Sequence, residues 1–382
     1  MNSLAVRAFA LTIALAASPA LAADGAEETD RRADMRRMVT ALTALLPLAT
    51  DATALGERRA DVTAHLDELA AATAVLAAHG TDDDPSFRFL SRDLASHGAL
   101  LRDAHAAGRD DEVRFELARL TATCANCHSR LPAAPTSAFG KEAVAGLDLA
   151  KLPADERVRL QVATRQFEDA LATYERLLAD PKRSGAALDI DGHVTDYLTV
   201  ALRTQWQTDR ARRTLDVFAK RDDLPGYLRR YVEEWSRTLA ALSAESDEPE
   251  SLERARTLAD RGVALRTHPA SRAGVVFDIA ASAMAYRMVD RATEASREVA
   301  GALYLLGRTD AWTRRRVWSS EARYYLETAI TMAPDAPFAA DALDLYEEYT
   351  VFAYSGSGGV ALPEAERARI DNLRVLVFDS DE

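Results

Sequence analysis

The sequence predicts an all-α protein, and three observations carry that prediction. Glycine and proline are scarce, at 17 and 13 of 382 residues. Alanine, leucine and arginine are abundant, and all three favour helix. Apolar residues recur at three- and four-residue spacing along most of the chain, while runs of alternating β-branched residues are few.

Residues 1–22 read as a targeting segment rather than as fold. Arg7 supplies a positive start. Ala8 to Ala17 is a mostly apolar stretch too short to span a bilayer, and Ala20-Leu21-Ala22 forms a small-residue cleavage site. The expectation is a signal peptide cleaved near Ala22 and export to the periplasm. The competing reading is an uncleaved anchor, which the polar Asp24, Glu27 and Glu28 disfavour. No later segment has about 18 uncharged apolar residues, so the mature chain is expected to lack a transmembrane segment.

Four helix-length segments fill 30–131. The first begins near Asp30 and places Met35, Met38, Val39, Leu42, Leu45 and Leu46 on a helical stripe; Pro47 should end or kink it. The second carries Val62, Leu66, Leu69, Val75 and Leu76 and stops at Gly80. The third has Asp84 as N-cap and Pro85 at the first helical position, and runs through Phe89, Leu90, Leu94 and Leu101 to Gly108. The fourth follows Asp110, shows Val113, Leu117, Leu120 and Cys124, and ends before Pro132. Short connections predict an antiparallel up-down four-helix bundle.

Pro132, Pro135 and Pro153 mark 132–154 as a linker. Residues 155–382 are helical again but patterned differently. Leu177-Leu178 before Pro181, Val263-Ala264-Leu265 before Pro269 and Ala329-Ile330 before Pro334 each end a helix in proline. Alanine and tyrosine stand at packing positions in these helices, as in tetratricopeptide repeats. The prolines do not keep that period, so the expectation is an irregular α-solenoid. Ser355 to Gly359 reads as a loop before a short terminal helix. About 360 mature residues also exceed one ordinary core, which agrees with two domains.

The formal charge is −13, and losing Arg7 with the leader would add one more negative charge. Such a surface argues against nucleic acid and for a basic partner or simple solubility. Only two cysteines are present, Cys124 and Cys127, which excludes a disulfide scaffold.

Cys124-Ala125-Asn126-Cys127-His128 is a C-x-x-C-H string. Two thiols three residues apart share one helical face and can add to the two vinyl groups of haem. The next residue, His128, then supplies an axial imidazole to the iron from the same side. Covalent attachment of this kind occurs outside the bacterial cytoplasm, in agreement with the leader. Three other readings compete. Zinc would need about four ligands, and no second cysteine pair exists. A thioredoxin-like pair would need a βαβ context. A disulfide across so short a loop stabilises little.

The stretch from Asp30 to Pro132 resembles the class II c-type cytochromes, the cytochrome c prime group, and is also similar to the periplasmic four-helix b-type cytochrome. The run Phe87-Arg88 through Gly108-Arg109 to Ala118-Arg119-Leu120 and His128 carries the second likeness. So does the start, Ala33-Asp34 through Met38 to Leu42 and Leu45. The resemblance implies one buried haem c at an end of the bundle, with His128 in the fifth position. In six-coordinate relatives a methionine of the first helix binds the iron; Met38 matches that position, and Met35 is the fallback. Cytochrome c prime types leave the site open, and Pro47 keeps that version alive. A methionine ligand suits an electron carrier with a redox partner protein. An open site suits a gas or redox sensor, or an assembly protein.

The remaining histidines carry less. His65, His97 and His105 read as surface residues of the bundle. His79 reads as a charge near a helix C-terminus, and His193 and His268 as loop residues. Asp189-Ile190-Asp191-Gly192 lacks the later acidic ligand of a calcium loop. Only Lys141, Lys151, Lys182 and Lys220 are lysines among the 47 basic residues. Arginine binds carboxylates bidentately, so one or two arginines are expected to pair with haem propionates, and Arg130 is nearest in sequence. Arg314-Arg315-Arg316 reads as a solvated helix face. No distal acid–base pair is evident, so an electron carrier is expected rather than an enzyme.

Overall fold

The computed structural model describes residues 19–49, 53–80, 85–130, 138–188, 190–245, 247–268, 271–292, 294–313 and 320–378. The expectations placed on residues 1–18, Asp84, Pro132, Pro135, Asp189, Pro269 and Arg314–Arg316 lie outside these. The described chain is almost wholly helical, as composition and periodicity predict.

Helix α1 spans Pro19–Ala49, and Pro47 sits in its last turn. Proline donates no backbone N–H, and the helix ends two residues later. A single turn, α2 (Ala54–Glu57), precedes α3 (Arg59–Ala78). On α3 the buried stripe is Val62, Leu66, Leu69, Thr73 and Leu76, which turns Val75 outward at 43% exposure. Helix α4 (Pro85–Ala106) begins on proline as expected. It ends where Gly108 adopts φ +71°, with Gly108 N–H donating to the His105 carbonyl at 3.0 Å and Arg109 N–H to that of Ala104 at 2.9 Å. That pair of bonds satisfies the last carbonyls, and only glycine adopts this backbone at no cost. Helix α5 (Asp110–His128) opens on Asp110, Asp111 and Glu112, whose charges suit its N-terminus.

Helix α1 packs on α3, α3 on α4, α4 on α5, and α5 returns to α1. Met38, Leu42, Leu45, Leu66, Leu101 and Leu117 meet in their shared core. The stretch expected to be a linker differs from expectation. It contains α6 (Ala138–Val144), and Val144 and Leu152 are buried in that same core together with Leu160 of α7 (Ala154–Ala163). Apolar residues between the prolines therefore tie it down.

A second core is built by α8 (Phe167–Ala179), α9 (Thr195–Gln205), α10 (Thr208–Phe218), α11 (Gly226–Ala244), α12 (Leu252–Ala264), α13 (Val275–Arg291), α14 (Arg297–Thr313), α15 (Ser320–Met332), α16 (Ala339–Ala353) and α17 (Glu364–Phe378). Neighbours in sequence pack as pairs from α12 through α16. Its largest buried aromatic side chains are Trp235, Tyr197, Tyr325 and Tyr346. The Ser355–Gly359 loop holds a small antiparallel hairpin, with Ser355 opposite Val360.

The two cores meet along α4, α5 and α15. Ser86 lies 2.9 Å from the Tyr325 hydroxyl, and Arg88 Nε donates to that of Tyr324 at 2.9 Å. Arg130 is 4% exposed and committed to this seam. Its guanidinium pairs with Glu321, donates to the Tyr325 hydroxyl at 2.9 Å and lies 4.7 Å over the Tyr286 ring. Asp310, 3.9 Å away, also binds Arg203 at 2.9 Å. Two arginines and two carboxylates thus balance one another in a buried cluster.

Candidate cofactor site

The C-x-x-C-H string occupies the C-terminal end of α5, at the seam between the two cores. Cys124 packs against the first core and Ala125 against the second. This follows from helical geometry: adjacent residues are turned about 100° apart, while 124, 127 and 128 return to one face. That face looks into an apolar cleft lined by Cys124, Cys127 and His128, by Met35 and Met38 of α1, and by Phe87 of α4. The structure thus brings together all five residues singled out as cofactor or iron ligands.

Leu69 and Leu76 of α3 add to the cleft lining, and a further wall comes from the end of α7, through Ala163 and the adjoining Thr164. His128 Nδ1 lies 2.5 Å from the Ala163 carbonyl oxygen. A carbonyl can only accept, so Nδ1 carries the proton and Nε2 is left with its lone pair. This is the arrangement that prepares a histidine to bind metal. Burial pushes the imidazole pKa down to about 4, with the Arg165 charge acting the same way and the Ala163 bond opposing. The ring is therefore neutral at neutral pH. Burial, and Cys127 beside it, likewise push the Cys124 thiol up to about 12. The two sulfurs are not joined as a disulfide.

These donors suit a covalently held haem. Two thiols one turn apart and a neutral imidazole with its tautomer fixed are the groups such a cofactor requires, and thioethers in the opposite helix are ones it can use. The cleft holds about 600 Å³ of space, open to solvent at its mouth, and is narrow inside, with about 40 Å³ available to the centre of a water molecule. The apolar walls must part to admit a macrocycle. Among the described residues, no three His, Cys, Asp or Glu side chains cluster to hold a bare ion.

The other histidines are elsewhere, and two differ from expectation. His97 and His105, expected at the surface, are 5% and 3% exposed. His97 sits between Glu116 at 2.8 Å and Asp93 at 3.6 Å, and His105 lies 3.0 Å from Thr63 Oγ1. Polar partners on neighbouring helices make their burial tolerable. His79 is the C-cap of α3, 3.5 Å from Asp34. His193 lies 2.9 Å from Asp155, and His268 is exposed.

The α7 wall was not legible in sequence. Residues 164–166 break the helix without glycine or proline, as Arg165 takes the left-handed conformation (φ 57°). The wall is braced from behind by Gly140 of α6. A Cβ there would stand 2.0 Å from the Thr164 carbonyl oxygen, a backbone atom that cannot swing aside. Gly140→Ala should push this wall toward His128 and cost about 1–3 kcal/mol by overpacking. Urea denaturation reads that loss, and an unchanged midpoint would show that α6 does not brace the wall.

No protein-family model, curated protein or solved structure matches this chain. No helix among the described residues is long and apolar enough to cross a membrane.

Proposed function

We propose that the chain is a periplasmic monohaem c-type cytochrome of the class II kind. In this reading a four-helix bundle holds haem c, and an irregular α-solenoid docks a redox partner protein. One observation carries it: Cys124, Cys127, His128 and Met38 converge on one apolar cleft. Cys124 and Cys127 would hold the group covalently. His128 would take the fifth iron position and Met38 the sixth, with Met35 as the alternative. The bound group supplies a one-electron couple. The chain's own residues orient the imidazole through Ala163, exclude water through Leu90, Leu94 and Phe87, and so set the potential.

The reading assigns electron carriage rather than catalysis. Carriage needs close approach to a haem edge and no substrate pocket, and the net negative charge suits a basic partner. A second reading, a gas or redox sensor with an open sixth position, draws on a different observation. Arg130 stands two residues past His128 and is locked to Glu321 on α15, so displacement at the site would reach the other core.

Met38 decides between them. With Met38 as ligand, the reduced wild-type spectrum should be unchanged by carbon monoxide, whereas Met38→Ala should bind it. A wild-type spectrum that shifts at once with carbon monoxide would favour the sensor.

A further inference from the structure

A group of charged side chains behind the cleft has no part in holding a cofactor, and its arrangement is that of a proton site. His97 of α4 is buried with a carboxylate at each ring nitrogen. Nδ1 is 2.8 Å from Glu116 Oε2 and Nε2 is 3.6 Å from Asp93 Oδ2. A neutral imidazole has one N–H and must turn a lone pair toward one of these anions; only the imidazolium presents N–H to both. Arg119 pairs with Glu116 at 3.3 Å. Two carboxylates and one guanidinium leave a net negative charge that a proton on His97 cancels. Asp93, Glu116 and Arg119 are the charged groups that act on the His97 ring among the described residues.

The cluster opens in two directions. The Asp93 side chain is 37% exposed and gives protons a way in from water. The same carboxylate accepts a hydrogen bond from Thr123 Oγ1 at 3.4 Å, and Thr123, next to Cys124, forms part of the cleft wall. Leu94, beside Asp93 in sequence, lines the cleft too.

We propose that His97, clasped by Asp93 and Glu116, is a redox-linked proton site for the group held in the cleft, a role that rests on the haem reading above. The charges balance simply. When an external one-electron donor reduces the site, the cleft gains one negative charge and His97 takes one proton from water; oxidation releases both. Pairing with Asp93, aided by Glu116 and opposed by burial and Arg119, holds the imidazole above its ordinary 6.5. The contribution of the His97 proton to folding is accordingly complete below 6.5 and lost as pH rises through the raised value.

The test uses the haem-loaded protein. A pyridine haemochrome assay first establishes attachment; without attached haem the cofactor reading itself fails, and this inference with it. With haem attached, the potential should fall as pH rises through the neutral range. The limit is a tenfold change in the redox ratio per pH unit, about 59 mV for one electron. His97→Gln should abolish that segment. Histidine NMR on wild type covers the case in which the variant does not fold, and the His97 ring should titrate at higher pH in the reduced than in the oxidised state. A pH dependence unchanged in His97→Gln, or one titration point in both states, would overturn the assignment.

Discussion

A chain with serine at both Cys124 and Cys127, made in an export-competent host that ligates haem, should come off the column without covalent pigment. Wild type should carry one haem per chain, and the double variant essentially none. The argument is chemical. Thioether formation needs two sulfurs on one helical face, and no other cysteine exists to substitute. His128→Ala should behave differently, retaining attachment but losing the fifth ligand. Its spectrum should then change without loss of bound pigment, because Cys124 and Cys127 share the cleft independently of the imidazole. Equal pigment in wild type and the double serine variant would remove the thiols from the account.

The second large effect lies at the seam. Arg130→Ala should cost about 3–5 kcal/mol in urea unfolding, because it leaves Glu321 and Asp310 buried beside Arg203 alone. The double change Arg130→Met with Glu321→Met should cost clearly less, since the one remaining carboxylate, Asp310, then keeps Arg203 as its partner. The side chains of Arg130 and Glu321 are 3% and 10% exposed, so solvent does little to soften the single change. A single-variant cost under about 1 kcal/mol, the range of exposed pairs, would show that the cluster does not join the cores.

Much of the first core was legible because its signals are local. Pro85 starts α4 where proline should, the Leu90, Leu94 and Leu101 stripe is buried, and α5 delivers the C-x-x-C-H face to a cleft that Met38 also reaches. What stayed hidden depends on partners distant in sequence. The acceptor for His128 is the Ala163 backbone carbonyl, and a carbonyl leaves no mark in residue identity. Arg130 is drawn to Glu321, 191 positions away, which no spacing rule anticipates. His97 is buried because Glu116 on the next helix receives it; without that partner, histidine on a helix belongs at the surface. Pro132, Pro135 and Pro153 mark 132–154 as linker in the sequence, whereas Val144 and Leu152 are buried in the first core and fold the described part of that stretch against it.

Peptide mass spectrometry of the wild-type protein from a haem-ligating host tests the central claim most directly. The account predicts that the peptide containing Cys124 to His128 carries the mass of one haem, retained after extraction with acidified acetone. An unmodified peptide, or a pigment that the extraction removes, would contradict it.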